Sequence, residues 1–360
     1  MVTIRETTFC PWVLPLRAAL ATAYGAVAQR SGYAIRLRAH DGTTGTGEAL
    51  PHPAAPPETT VGLYEALRAG AVALRAAAPA PLATLVEMLR DLPPPVASGL
   101  DMALHDLAAR SAGCSVAMLL GPVRRRSILT STLLEGRTPA ELAAAARRAQ
   151  AAGFRDAKIK VGTDLDEAVG RVSSVRRAAP GLALRVDANG AWTGTRAGAA
   201  ARRLRPFDLA WLEQPAPPGD LDGLVAARAG GIRIAADESV TGPAAVHALA
   251  AARAVDVIVL KLVQLGGLAA ALATARAATA CGLAVTVTTA LESSLGTAAA
   301  IHLAAVLPDP LLPCGLATTQ LLAVDPVNPS IPALPQLALP CGPGLGVQLA
   351  PAAMSCGDPW

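Results

Sequence analysis

Lysine is nearly missing from this 360-residue chain: among 31 lysines and arginines, only Lys158, Lys160 and Lys261 are lysine. Arginine cannot give up its proton in a protein, whereas a buried lysine can. Lysines kept in an arginine background therefore mark places where an amine must at times be neutral. Aromatic residues are scarce as well, with four Trp, three Tyr and three Phe, and no basic block interrupts a chain of net charge +4. Nucleic-acid binding thus has no support. Long uncharged apolar runs are lacking too. The most apolar stretch, 266–291, contains Arg276 and Gly282 and reads as a helix followed by a strand, not a membrane span. No apolar segment with a signal-peptide pattern follows Met1 to Arg5. The six cysteines (Cys10, Cys114, Cys281, Cys314, Cys341 and Cys356) show no CxxC spacing. They are expected to be reduced thiols of a cytoplasmic protein.

What is present is a regular beat of charge. Lys160, Asp187, Glu213, Asp237 and Lys261 follow one another at steps of 27, 26, 24 and 24 residues. Each ends a short apolar run, such as Leu209-Ala-Trp-Leu-Glu213 or Val255-Asp-Val-Ile-Val-Leu-Lys261. Between the runs lie Ala/Arg-rich stretches, 165–179 and 242–254 among them, with the pattern of amphipathic helices. One strand, one helix and two loops take about 25 residues in a β/α barrel. The charges therefore recur once per unit at the C-terminal ends of strands, which converge on the face where barrels build active sites. Lys158 and Lys160 are two apart on a strand and point to the same side.

The preceding part of the chain has a different grain. Tyr33 to Ala39 alternates, Asp41-Gly42 turns, and Gly45 to Leu50 returns, which predicts a hairpin. Helices are predicted over 61–77, 82–92 and 96–112, and 16–30 reads as a loop over the site. The expected architecture is an α+β capping domain (1–112), a modified (β/α)7β-type TIM barrel (113–324) and a proline-rich segment (325–360) packing back on the cap. Ile128 to Leu134 is the expected first barrel strand, with a helix entered at Thr138-Pro139. Leu283 to Thr289 is the seventh strand, and Leu311 to Leu316 a weak eighth.

Three carboxylates with no His or Cys among them form an all-oxygen donor set. Hard cations prefer it: Mg²⁺ suits Asp187, Glu213 and Asp237, and Mn²⁺ fits the same donors. Lys158 and Lys160 flank them on one side and Lys261 on the other. That arrangement fits removal of a proton α to a carboxylate from a small-molecule substrate. The proton is weakly acidic, and a divalent cation stabilises the resulting enediolate. Burial, the cation and the neighbouring Lys158 ammonium are expected to lower Lys160 toward neutrality, as a base requires.

The motifs Lys158-Ile-Lys160, Asp187-Ala-Asn-Gly-Ala-Trp192, Glu213-Gln-Pro215, Asp237-Glu-Ser239 and Lys261 with Gly266-Gly267 resemble those of the enolase superfamily, muconate-lactonising subgroup. Gly47-Glu-Ala-Leu-Pro51 in the cap is similar too. The resemblance implies Asp187, Glu213 and Asp237 as metal ligands, Lys160 as the base and Lys261 as the opposed lysine. It also implies supporting roles for Asn189 and Glu238. Thr288 to Gly296 looks most like the o-succinylbenzoate synthases of menaquinone biosynthesis. The implied reaction is dehydration of 2-succinyl-6-hydroxy-2,4-cyclohexadiene-1-carboxylate. N-acylamino acid racemases and muconate cycloisomerases share the implied site and stay open at this point. Dipeptide epimerases are disfavoured, because 312–322 offers no acid for an ammonium group. His302 is read as packed or solvated, and His40, His52, His105 and His247 as surface or cap residues. Glu292 is read as a loop cap or a substrate contact.

Overall fold

The computed structural model describes residues 1–22, 25–53 and 59–354. Strands β1 (Glu6–Thr22), β2 (Gly25–Arg38) and β3 (Thr44–Ala49) form an antiparallel sheet in the order β1-β2-β3. Helices α1 (Thr59–Ala77), α2 (Leu82–Glu87), α3 (Pro94–Ser111) and α4 (Val116–Leu120) follow. The alternation on β2 sends Ile35 and Leu37 into a core with Leu67, Leu74, Leu100 and Leu104. Gly47 and Gly99 let β3 and α3 meet backbone to backbone: a Cβ on Gly47 would collide with the Gly99 carbonyl.

Two sequence expectations are corrected here. Residues 16–30 are not a loop. Within the described part they belong to β1 and β2, whose pairing runs from Glu6↔Arg38 to Thr22↔Gly25 with a shift between Pro15 and Leu20. The many alanines of this stretch hid its alternation. The helix predicted over 82–92 stops at Glu87, and the chain tightens into three-residue turns in which Leu89 N donates to the Val86 carbonyl, Arg90 N to that of Glu87 and Leu92 N to that of Leu89. Turns fill the gap before α3 starts with its own proline.

The chain then enters a parallel sheet. Strands β4 (Ser127–Leu129) and β5 (Thr132–Leu133) precede α5 (Pro139–Ala151), and the βα units run β6 (Asp156–Lys160), α6 (Leu165–Ala178), β7 (Ala183–Asp187), α7 (Thr195–Leu204), β8 (Leu209–Glu213) and α8 (Leu221–Ala229). They continue through β9 (Ile234–Ala236), α9 (Pro243–Ala251), β10 (Val257–Leu260), α10 (Leu262–Leu265), α11 (Leu268–Ala280), β11 (Ala284–Val287) and α12 (Ser294–Val306). The seven parallel strands lie in the order β11-β10-β9-β8-β7-β6-β5 and curl into a half-barrel. Helix starts carry local signals: Thr138 and Glu141 form a reciprocal capping box on α5, and the Asp164 carboxylate accepts from the backbone of Asp166 and Glu167 on α6.

The expected first strand, 128–134, is split. Ser127–Leu129 pairs antiparallel with β13 (Gln336–Ala338), and only Thr132–Leu133 joins the barrel sheet. The chain changes partner in between, where Thr130 N donates to the Pro335 carbonyl and Ser131 N to that of Cys314. The expected eighth strand is a series of bridges: Val285↔Leu311, Thr288↔Gly315 and Thr130↔Cys314. Pro310 and Pro313 lack ladder donors, so this segment spans the gap between β11 and the 127–133 segment without forming a strand. Beyond it, β12 (Val327–Asn328) pairs with β14 (Gln348–Leu349). The tail also reaches α3, where Arg110 donates to the Val347 carbonyl and Asp106 accepts from Leu345 N.

Asp101 makes one tight junction between cap and barrel. Asp101 of α3 accepts from Leu268 N at 2.5 Å, capping α11 across the interface. Gly267 makes room for it. Its φ is +119°, and a Cβ there would lie 2.5 Å from an Asp101 oxygen. Gly267→Ala is expected to cost at least the 1–3 kcal/mol or so typical of a disallowed backbone geometry, seen as a lower urea midpoint. An unchanged midpoint would show that this contact does not hold the two parts together. Among the described residues no helix is long and apolar enough to cross a membrane.

Candidate active site

Side chains alternate along each strand, so every second residue enters the barrel. Low on the strands these are Trp211, Ala235, Val257, Val259 and Ala284, which pack together. Two residues further on, the same faces carry Glu213, Asp237 and Lys261. Lys158 with Lys160, and Arg185 with Asp187, follow the same rule on β6 and β7. Asp237 and Lys261 stand one residue past β9 and β10, at the mouth.

All six charged residues singled out by the sequence meet there. Carboxylate oxygens of Asp187, Glu213 and Asp237 lie within 4.8 Å of one another, and all three residues are buried. Lys158 Nζ sits 3.0 Å from Asp187 Oδ2 and 2.9 Å from Glu213 Oε1. Lys160 Nζ is 3.8 Å from the same Asp187 oxygen and donates to Asn189 Oδ1 at 3.2 Å. On the far side Lys261 Nζ is 2.5 Å from Asp237 Oδ2. Burial alone would lower Lys158, but Asp187 and Glu213 outweigh it and hold the amine well above the usual lysine range. Lys261 is likewise raised: Asp237 overcomes its burial. Burial pushes Glu213 up despite Lys158, whereas Asp187 falls below its ordinary value because Lys158, Lys160 and Lys261 together exceed the burial effect. Asp187 therefore takes the larger share of the lysine charge.

The donor set fits a hard divalent cation. The three buried carboxylates gather oxygens within 4.8 Å of one another and offer no nitrogen or sulfur donor. Asp237 Oδ1 is buried and has no hydrogen-bond partner, as expected of an oxygen reserved for a metal.

Supports hold these groups still. Asn189, at φ +43°, donates its backbone N–H to Asp187 Oδ1 at 3.0 Å and its amide to Glu238 Oε1 at 2.8 Å. Burial, with Asp237 and Asp187 nearby, pushes Glu238 up to about 7. Gln214, quoted in a motif but given no role, is a brace. Its Oε1 accepts from Asp237 N at 2.9 Å and Ser239 N at 3.2 Å, while Nε2 donates to Ala216 O and Ser239 Oγ, both at 2.7 Å. Its φ of +39° was the missed cost of that position. Arg185, also missed, lies on the barrel floor. Its guanidinium stacks 3.9 Å over Trp211 and pairs with Asp156 at 2.6 Å. The strand pattern, two residues before Asp187, was the available signal.

Lys158, Lys160, Lys261, Asp187, Glu213 and Glu238 open into one cavity of about 110 Å³, whose other walls include Leu20, His52, Leu133, Thr289, Leu291 and Thr318. His52 therefore reaches the site from the cap. Sequence reasoning read it as a surface or cap residue; it does lie in the cap, and tertiary folding brings it to the wall of the lysine cavity. Its imidazole is pushed down by burial and by Lys261 and Arg30. Glu292 is a local cap: it curls back to accept from Ala290 N. From the cap, Glu48 accepts from Ser293 N and Gly296 N, which fixes the loop carrying Leu291, at φ +67°. Burial together with Glu292 pushes Glu48 up to about 8. His302 is remote from the cavity and packed. It accepts from Ala117 N and contacts the Leu345 carbonyl, and burial lowers it to about 4. His105 is buried in α3 against Asp101. The five described cysteines are free thiols, and Cys356 lies outside the described residues.

Residues 4–121 match the mandelate racemase/muconate lactonizing enzyme N-terminal domain family, and residues 141–353 match the enolase C-terminal domain-like family. A chloromuconate cycloisomerase of Pseudomonas putida is 34% identical over 259 residues, 71% of this chain and 70% of that protein. An o-succinylbenzoate synthase of Thermobifida fusca is 42% identical over 185 residues, 50% of this chain and 57% of that protein. A dipeptide epimerase from Enterococcus faecalis, crystallised with Mg and the dipeptide L-Leu-L-Tyr, superposes with a TM-score of 0.90 at 27% identity, covering 96% of this chain and 99% of that one.

Proposed function

The chain belongs to the enolase superfamily, in its muconate-lactonizing-enzyme-like subgroup, and from this and the site geometry we propose that it is an o-succinylbenzoate synthase. The reaction is dehydration of 2-succinyl-6-hydroxy-2,4-cyclohexadiene-1-carboxylate to o-succinylbenzoate and water. The observation that carries the reading is the cavity lined by Lys160, Lys261, Asp187 and Glu213, the last two forming with Asp237 a group of buried acids whose oxygens lie within 4.8 Å of one another. The 42% identity to the Thermobifida fusca synthase favours this member of the subgroup. Residues 312–322 bear no acid to receive a dipeptide ammonium.

Asp187, Glu213 and Asp237 are assigned to hold Mg²⁺, which when bound stabilises negative charge on the substrate carboxylate. Lys160 uses its nitrogen lone pair to take the C1 proton, and the electrons of the C–H bond move into the carboxylate as an enediolate. They return to form the ring double bond as the bond from C6 to its hydroxyl breaks. Lys160, now an ammonium, hands its proton to the departing hydroxide, so water leaves and the amine is restored. Asn189 anchors Lys160 between these transfers, and Lys261 faces the enediolate as a fixed cation. The ring becomes aromatic, which drives the sequence forward. Mixing the Mg²⁺-loaded protein with the cyclohexadiene acid and following the aromatic product tests the assignment. Absence of product would defeat it.

A second reading, N-acylamino acid racemase, is favoured by the two lysines on opposite flanks of the acids, as a two-base proton transfer needs. Lys261→Arg separates the two. It preserves a cation but not a proton donor and acceptor. Racemisation of N-succinyl amino acids should fall by at least about 10²-fold, while dehydration falls far less. Equal losses in polarimetric and absorbance assays would refute distinct roles for Lys261.

A further inference from the structure

The cavity that holds the lysines is small. At about 110 Å³ it falls below the 300–1,000 Å³ or so that enclose most small ligands. It takes the reacting end of a substrate and leaves a tail outside. A second groove of about 490 Å³ begins where it stops, and Leu20, Leu133 and Lys160 line both. Leu20 comes from β1 of the cap and Leu133 from β5, so the passage lies at the cap–barrel seam. Beyond it stand Arg137, Arg148 and Arg171, opposed by Glu135 and Glu141.

Three arginines and Lys160 face two acids in this lining. Glu141 belongs to the capping box, where its Oε2 accepts from Arg137 N at 2.6 Å and Thr138 N at 3.3 Å. Arg171 is structural, donating to the carbonyls of Gly136 and Arg137 and standing 3.5 Å from Glu167. Its Nε is buried without a partner. Arg148, in the last turn of α5, has no ion pair among the described residues. A groove that meets the lysine cavity at Lys160 and carries more arginine than acid is matched to an anionic tail. Guanidinium groups bind carboxylates in a paired, directional way.

Building on the function proposed above, we propose that this groove is a subsite for a second, distal carboxylate of the substrate, read by Arg148 and Arg137. The substrate class is then a dicarboxylate: one carboxylate sits at the acid triad and the other beyond Lys160. This subsite distinguishes succinyl-bearing acids from analogues that end in an alkyl group.

The test is calorimetric titration of the Mg²⁺-loaded protein with o-succinylbenzoate and with o-butyrylbenzoate, which replaces the distal carboxylate by a methyl. The wild type should prefer the succinyl compound by about tenfold or more, one charge-assisted contact's worth. Arg137→Ala/Arg148→Ala should erase most of that preference and leave o-butyrylbenzoate affinity within about twofold, whereas Arg148→Lys should keep part of it. Equal binding of both compounds by the wild type, failure to bind either, or a preference that survives in the double variant would each overturn the subsite. Turnover of the cyclohexadiene acid reads the other proposal independently. Dehydration without preference rejects the groove alone, and preference without dehydration rejects the reaction alone.

Discussion

Lys160→Ala should lower turnover by about 10²–10⁴-fold, the range for loss of a positioned general base, while leaving Mg²⁺ binding and the fold in place. The reason is local. Lys160 has about a third of its side chain exposed to the cavity and makes one hydrogen bond, to Asn189. Lys158, by contrast, is tied to two carboxylates and is the structural cation of the site. Removing Lys160 therefore strips away the more exposed amine, while Lys158 still pairs with Asp187 at 3.0 Å and with Glu213 at 2.9 Å. Steady-state kinetics with magnesium saturation checked in parallel makes the measurement, and near wild-type turnover would remove Lys160 from the mechanism. Lys158→Ala should behave differently. It leaves Asp187 and Glu213 buried with one less cation, so the folded state itself should suffer, as expected when one partner of a buried pair is deleted.

Glu213→Gln should abolish Mg²⁺-dependent activity at ordinary metal concentrations. Even supporting residues around metals cost about 10–100-fold in affinity when changed, so a direct donor should cost at least the upper figure. The amide keeps the shape, and Lys158 retains Asp187 at 3.0 Å. The metal-free variant should therefore unfold close to the wild-type temperature. The difference should emerge on adding Mg²⁺, which raises the midpoint of a protein that binds it. Wild type should show that rise, and the variant should need about a hundredfold more metal. Matching titration curves would count against Glu213 as a ligand.

The barrel and its charged mouth were legible because both are periodic. A residue of fixed character every 24–27 positions, ending an apolar run, leaves little freedom once strands are parallel. Lys160, Asp187, Glu213, Asp237 and Lys261 were found that way, and their convergence needed no tertiary information beyond the period. Elements without a period were less legible. The 16–30 stretch follows partner pairing across the cap sheet, not its own alternation, and the split at Thr130 comes from a change of partner to Cys314 and Pro335. Segment 311–315 closes the sheet by bridges because its prolines withhold donors. His52 and Gln214 escaped for a related reason. One reaches the site through the docking of cap on barrel, and the other acts through four hydrogen bonds to backbone and Ser239 that no sequence spacing encodes.

The account's central claim is that a lysine amine beside a divalent metal removes the proton α to a carboxylate. ¹H NMR in D₂O tests it most directly, with the α-proton signals of the cyclohexadiene acid, N-succinyl amino acids and muconolactone followed side by side. At least one of these protons should disappear in the presence of protein and Mg²⁺, and persist when the metal is chelated or when Lys160→Ala replaces the wild type. Loss of the α-proton at an undiminished rate in that variant, or no loss from any of these acids with the wild type, would contradict the account.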